Sequence, residues 1–63
     1  MKNILKEIRE EKGMTISELA RKANVTRQTI YNIETNENAS VSSPVMEAIA
    51  SALNVKASRI FLL

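Results

Sequence analysis

An all-α fold, a compact bundle of five short helices, is what this 63-residue sequence predicts. Three observations lead there. Apolar residues recur three and four positions apart, the spacing of one helix face, and the stripe changes phase at short intervals. The chain holds one Gly and one Pro against 44% apolar residues, a composition that favours packed helices over disorder. Helix start and stop residues stand at each change of phase. One domain over residues 1–63 is expected, because a chain this short buries only about 60% of the surface it exposes when unfolded. No internal repeat, low-complexity tract or linker divides it.

Ile4, Leu5 and Ile8 form the first stripe, and Gly13 follows where a helix end needs a left-handed residue. The next four-residue signal is "TISE", residues 15–18. There the Thr15 hydroxyl accepts from the Glu18 amide while the Glu18 carboxylate reaches back to the Thr15 amide, a capping box. A second helix then runs from Ile16 to about Ala23, turning Ile16, Leu19, Ala20 and Ala23 inward. Asn24, the best non-glycine residue for a left-handed turn, closes it. Thr26 caps a third helix anchored by Ile30 and Ile33. A polar connection, "TNENASVSS", leads to Ser43 as N-cap and Pro44 at the first helical position, where a missing amide proton costs nothing. Val45, Met46, Ile49, Ala50 and Leu53 share one face of the fourth helix, and Asn54 ends it. "KASRIFLL" makes a short fifth helical turn. No strand is expected, although Val41 suits an extended connection.

Composition removes most chemistry. The chain has no His, no Asp and no Cys, which excludes thiolate metal sites, disulfides, most catalytic triads and the commonest general base. No enzyme, metal or cofactor is expected, and no small-molecule ligand is evident. No apolar run reaches the ~20 residues of a membrane span, and there is no secretory segment, so the expected compartment is the cytoplasm. Charge is uneven. Residues 1–31 carry seven Lys/Arg against four Glu, whereas residues 32–63 carry two against three. A basic first half suits a polyanionic partner.

The connection between the second and third helices is very short, Asn24 to Thr26, which fits a helix-turn-helix corner. Ala20 is small where the two helices meet. Val25, Ile30 and Ile33 pin the third helix along one edge, so Arg27, Gln28, Tyr31 and Asn32 project from the other. Arg can grip guanine O6 and N7 as a fork, and Gln or Asn does the same with adenine N6 and N7. Those residue types on the first turns of such a helix point to base reading in the major groove of double-stranded DNA.

The run "LKEIREEKGMTISELARKANVTRQTIYNIE", with "ALNVKASRIFLL" at the end, resembles the phage repressor/Cro-like helix-turn-helix family, also called XRE. The resemblance implies a lambda repressor-like DNA-binding domain that represses transcription as a homodimer on a palindromic operator. It places Arg27, Gln28, Tyr31 and Asn32 at base-reading positions. It places Thr15, Ser17, Thr26 and Thr29 at helix N-termini that hold phosphates, where exposed amides and the helix dipole favour anions. Arg9 and Glu34 fall where some members join the first helix to the third by a buried ion pair; an exposed pair is the alternative.

Three departures stand out. Many members begin the second helix with a DNA-contacting glutamine, where this chain has Ile16. The loop after the third helix lacks Lys and Arg and contains Glu37, leaving Asn36, Asn38 and Ser40 as phosphate donors. Lys56 stands where a hydroxyl residue usually caps the last helix. The apolar end "IFLL" is expected to bury Ile60 and Leu63 and expose Phe61 or Leu62, making Ile60, Phe61 and Leu62 the candidate dimer interface. Alternatively, the terminal turn folds back to complete the core. A protein-interaction module, antitoxin-like in style, is the competing function.

Overall fold

The computed structural model describes residues 2–62. Five helices run in chain order: α1 (Leu5–Glu11), α2 (Ile16–Ala23), α3 (Arg27–Thr35), α4 (Ser43–Leu53) and α5 (Ala57–Ile60). α2 is central and packs on both α3 and α4, with α5 against α4 and α1 against α3. Leu5, Leu19, Ile30, Ile49, Leu53 and Ile60 are the largest fully buried side chains, so every helix gives at least one residue to a common aliphatic core.

Three helices end in the same way. The Met14 amide donates to Arg9 carbonyl at 3.1 Å, Val25 to Ala20 at 3.0 Å, and Val55 to Ala50 at 3.0 Å. Inside each of these loops the preceding residue takes a left-handed conformation: Gly13 at φ 70°, Asn24 and Asn54 at φ 58°. Its amide donates two carbonyls nearer, to Glu10, Arg21 and Ser51 respectively. This paired 6→1 and 5→2 pattern is the Schellman motif, with an apolar residue following the turn to seal it. Glycine and asparagine occupy these positions because the left-handed region clashes with the β-carbon and only short polar side chains recover the loss.

The repetition goes further than the turns. Leu19, Ala20, Ala23, Asn24, Val25 and Ile30 correspond to Ile49, Ala50, Leu53, Asn54, Val55 and Ile60, thirty positions later. Both asparagines have ψ 43°, and every core member of each set is buried. The turn between α4 and α5 therefore repeats the turn between α2 and α3. Only positions that bury or turn are shared; the exposed ones diverge, so the repeat is weak as a string of letters.

The absence of strands is also corrected. β1 (Lys2–Asn3) pairs antiparallel with β2 (Phe61–Leu62), Lys2 opposite Leu62 and Asn3 opposite Phe61. The Ile4 amide extends the ladder to the Ile60 carbonyl at 2.9 Å. The pairing forms between the two ends of the chain, and two residues per strand leave no alternation to read. It also draws Phe61 inward. Ile60 is 0% and Phe61 5% exposed, so neither forms the exposed apolar patch expected of a dimer interface. The terminal turn instead folds back and completes the core. The Leu62 side chain and the whole of Leu63 lie outside the described residues. At α4 the N-cap is Ser42 rather than Ser43, which places Pro44 at the second helical position; that amide also lacks an intrahelical acceptor, so the proline is equally tolerated. Lys56 is the N-cap of α5 and makes no side-chain cap hydrogen bond.

Candidate nucleic-acid interface

α3 is fixed at both ends and along one side. At its start the Thr26 hydroxyl accepts from the Thr29 amide at 3.1 Å. Ile30 and Ile33, 0% and 4% exposed, hold the inner side. At its end the Asn36 amide donates to the Asn32 carbonyl, and the Ile33 carbonyl accepts from Asn3 Nδ2 at 2.9 Å. Arg9 forks onto Glu34, Nε to Oε2 at 2.7 Å and Nη2 to Oε1 at 3.1 Å, with side chains only 10% and 4% exposed. Arg9 Nη1 donates to the Met14 carbonyl at 2.8 Å, tying the α1–α2 junction to the same point. The Glu34 hydrogen bond raises the Arg9 pKa above the ordinary arginine value, so this cation is held charged.

The opposite face of α3 is free. Arg27, Gln28, Tyr31 and Asn32 are all exposed, and none of their side chains is engaged by another described residue. Tyr31 is 55% exposed, and it is the only large apolar side chain among the described residues to stand out in this way. Leaving an arginine, two amides and a ring unengaged on one rigid helix gives fork donors, paired donor–acceptors and an apolar contact, the set that base edges and thymine methyls require.

Around this face lie the hydroxyl and amide groups expected to meet phosphates. Thr15 and Glu18 close the capping box in both directions, at 2.9 and 3.1 Å, and Ser17 is exposed on the following turn. The backbone hydrogen bond from Thr15 holds the Glu18 carboxyl below its ordinary range. The Thr26 hydroxyl is exposed and 2.9 Å from that of Thr29, which is half-buried. In the connection after α3, Asn36 Oδ1 accepts from the Asn38 amide at 3.0 Å, an Asx turn that leaves the Asn38 side chain in solvent. A groove of about 470 Å³ opens alongside, lined by Thr29, Asn32, Ala39, Ser40, Val41 and Ser42 among others. Asn3 escaped the sequence reading: its position just before the first apolar stripe is a capping signal, but nothing local indicates its bond to α3. Among the described residues no group of three or more His, Cys, Asp or Glu could hold a metal. No described helix is long and apolar enough to cross a membrane.

A tight α2–α3 corner with an unengaged, base-edge-compatible face defines a helix-turn-helix DNA-binding domain. A family model described as helix-turn-helix matches residues 5–60, and the chain belongs to that family, of the Cro/C1 or XRE type. Among solved structures, a mutant of the restriction-modification controller protein C.Esp1396I superposes with a TM-score of 0.76 and 40% identity, over 82% of this chain and 68% of that one. No curated protein matches. The chain is a helix-turn-helix DNA-binding transcriptional regulator.

Proposed function

We propose that residues 1–63 are one DNA-binding domain that acts as a repressor, binding as a homodimer to a palindromic operator. The observation that carries this reading is the face of Arg27, Gln28, Tyr31 and Asn32, presented on a helix anchored at both ends and engaged by no other described residue. Arg27 and Gln28 sit on the first turn and read bases in the major groove, with Tyr31 and Asn32 one turn later. Thr15, Ser17, Thr26, Thr29, Asn36 and Asn38 position the domain on phosphates. The likeness to a restriction-modification controller supports the regulatory role.

The size of the domain supports a homodimer. The domain measures 24 × 21 × 20 Å, whereas half-sites on one face of the duplex lie about 34 Å apart, so each copy covers one half-site. With Ile60 and Phe61 largely buried, the surface assigned to the second copy is the α4–α5 corner, where Met46, Ala57 and Ser58 border a groove of about 320 Å³. The antitoxin-like alternative is weakened because Ile60 and Phe61, two residues of the apolar end it relied on, are buried in the core. No catalytic or cofactor chemistry is assigned, and the proposed compartment is the cytoplasm.

Selection from a random duplex library at about 50 mM salt, a range in which phosphate contacts are strong, tests the proposal. The intact protein is expected to enrich a palindrome with half-site centres about 10 base pairs apart, and an Arg27→Ala/Gln28→Ala variant to enrich nothing. Equal enrichment by both proteins would overturn it.

A further inference from the structure

We propose that Asn3 is a positioning residue for the recognition helix, holding the C-terminal end of α3 at the angle that base reading requires. The inference rests on the DNA-reading role of α3 and adds a residue to it that lies outside the helix-turn-helix.

The geometry gives Asn3 two bonds with opposite requirements. Its Nδ2 donates to the Ile33 carbonyl at 2.9 Å, and its Oδ1 accepts from the Leu5 amide at 3.0 Å. A carbonyl can only accept and an amide can only donate, so the orientation of the side-chain amide is fixed by its partners. One group thus starts α1 and stops α3. The last carbonyls of a helix have no partner within it. In α3 the Asn32 carbonyl takes the Asn36 amide, and the Ile33 carbonyl takes Asn3.

Asn3 itself is not loose. It stands opposite Phe61 in the terminal ribbon, and the neighbouring Ile4 amide is bonded to the Ile60 carbonyl, with Ile60 and Phe61 in the core. The end of α3 is therefore held from both ends of α1, by Asn3 just before it and by Arg9 within it. These two links are chemically different and act on different atoms. Arg9 grips a side chain, whereas Asn3 grips a backbone carbonyl, adding to the hold that buried Ile30 and Ile33 give the helix. Tyr31 and Asn32 lie directly before the bonded Ile33 carbonyl, so this bond bears on their direction toward the duplex.

Asn3→Asp separates the two functions. Aspartate keeps an oxygen for the Leu5 amide, the i to i+2 bond that asparagine and aspartate side chains both make. It has no proton to donate, and its second oxygen meets the Ile33 carbonyl oxygen. Asn3→Ala removes both bonds.

The test uses the full chain with each variant under conditions where all are folded. Amide hydrogen exchange is followed at Asn36 and at the turns after α2 and α4. Affinity is measured for the selected duplex and for a scrambled one. Both variants are expected to speed exchange at Asn36 by about five-fold, the worth of one neutral hydrogen bond, while Val25 and Val55 are unchanged. Both are expected to lower the ratio of selected to scrambled affinity by a similar factor. If Asn3→Asp matches the unaltered protein in exchange and in ratio, or if only Asn3→Ala differs, Asn3 merely caps α1 and the proposal falls. If the unaltered protein discriminates between no duplexes, the DNA-reading role fails by itself. Exchange at Asn36 then still decides whether Asn3 holds α3.

Discussion

Arg9 and Glu34 meet as a bidentate pair, 2.7 and 3.1 Å apart, with only 10% of the arginine and 4% of the glutamate side chain exposed. A pair so enclosed differs from a surface salt bridge. Removing one partner leaves the other charge buried, which costs ~3–5 kcal/mol. That is comparable with the whole stability of a domain this size, ~3–9 kcal/mol. Arg9→Met and Glu34→Leu are each expected to lose about 3–5 kcal/mol of stability, whereas the double variant recovers much of the loss. Urea unfolding followed by circular dichroism gives the four corners of the cycle. A single substitution costing under about 1 kcal/mol would place the pair among exposed ones.

The three Schellman turns make a second expectation. Asn24 and Asn54 share φ 58°, a conformation that costs other L-residues about 1–2 kcal/mol. Glycine at either site is expected to hold stability within a few tenths of a kcal/mol or to raise it slightly, and alanine to lower it by about 1 kcal/mol. The two sites then part in function. Asn24→Ala disturbs the corner that sets α3 against α2, so affinity for DNA falls by more than the unfolded fraction explains. Binding is compared on a duplex carrying a single half-site, because the α4–α5 corner is also the surface proposed for the second copy; there Asn54→Ala is expected to cost stability alone. Equal loss of binding by both would show that the α2–α3 turn has no special bearing on the interface.

The helices, the caps of α2 and α3 and the exposed face of α3 were legible because each rests on a local signal. Thr15 and Glu18 are three residues apart, Asn24 follows the last inward alanine, and Arg27 to Asn32 fill the positions that Ile30 and Ile33 leave. What was not legible depends on contacts between distant parts of the chain. The ribbon between Lys2–Asn3 and Phe61–Leu62 joins the two ends of the sequence. It drew Ile60 and Phe61, expected at a partner surface, into the core, because an apolar segment reads the same whether it meets another protein or its own first strand. Asn3 shows the same limit: its cap on Leu5 is local, but its bond to Ile33 spans 30 positions. The α4–α5 repeat escaped because equal geometry needs only matching core and turn residues, Ala20 with Ala50 and Asn24 with Asn54.

Glu18 supplies a pH dependence whose sign is fixed. Its carboxylate is hydrogen-bonded in the folded chain, first to the Thr15 amide, and its pKa lies below the ordinary 4.5. The unfolded chain therefore binds the proton more readily, and stability rises with pH through this range. The contribution is complete above the ordinary value and disappears as the pH falls through the lowered one. Glu18→Gln keeps an oxygen for the Thr15 amide but does not titrate. Thermal unfolding between about pH 2 and 6, the span over which carboxylates titrate, is expected to show a shallower acid limb in the variant. An unchanged limb would mean that the capping box opens before the carboxylate protonates.

The loop after α3 sets the last expectation. From Asn36 to Ser42 it contains Glu37 and no Lys or Arg, so few phosphates are neutralised beside the recognition helix. Each neutralised phosphate adds about 0.9 to the slope of log affinity against log salt. Asn38 is the place to add one, because the Asx turn uses its backbone amide and the Asn36 side chain, leaving its own side chain replaceable. Asn38→Lys is expected to steepen the slope by about 0.9 and to tighten selected and scrambled duplexes alike, since a phosphate contact carries no base information. Arg27→Ala should do the reverse in kind, costing about 1–3 kcal/mol at one base position with far less effect on scrambled duplex. Titrations at four or five salt concentrations separate the two behaviours. A slope unmoved by Asn38→Lys would show that the loop stays clear of the DNA backbone, and that the domain grips phosphates only through the N-termini of α2 and α3.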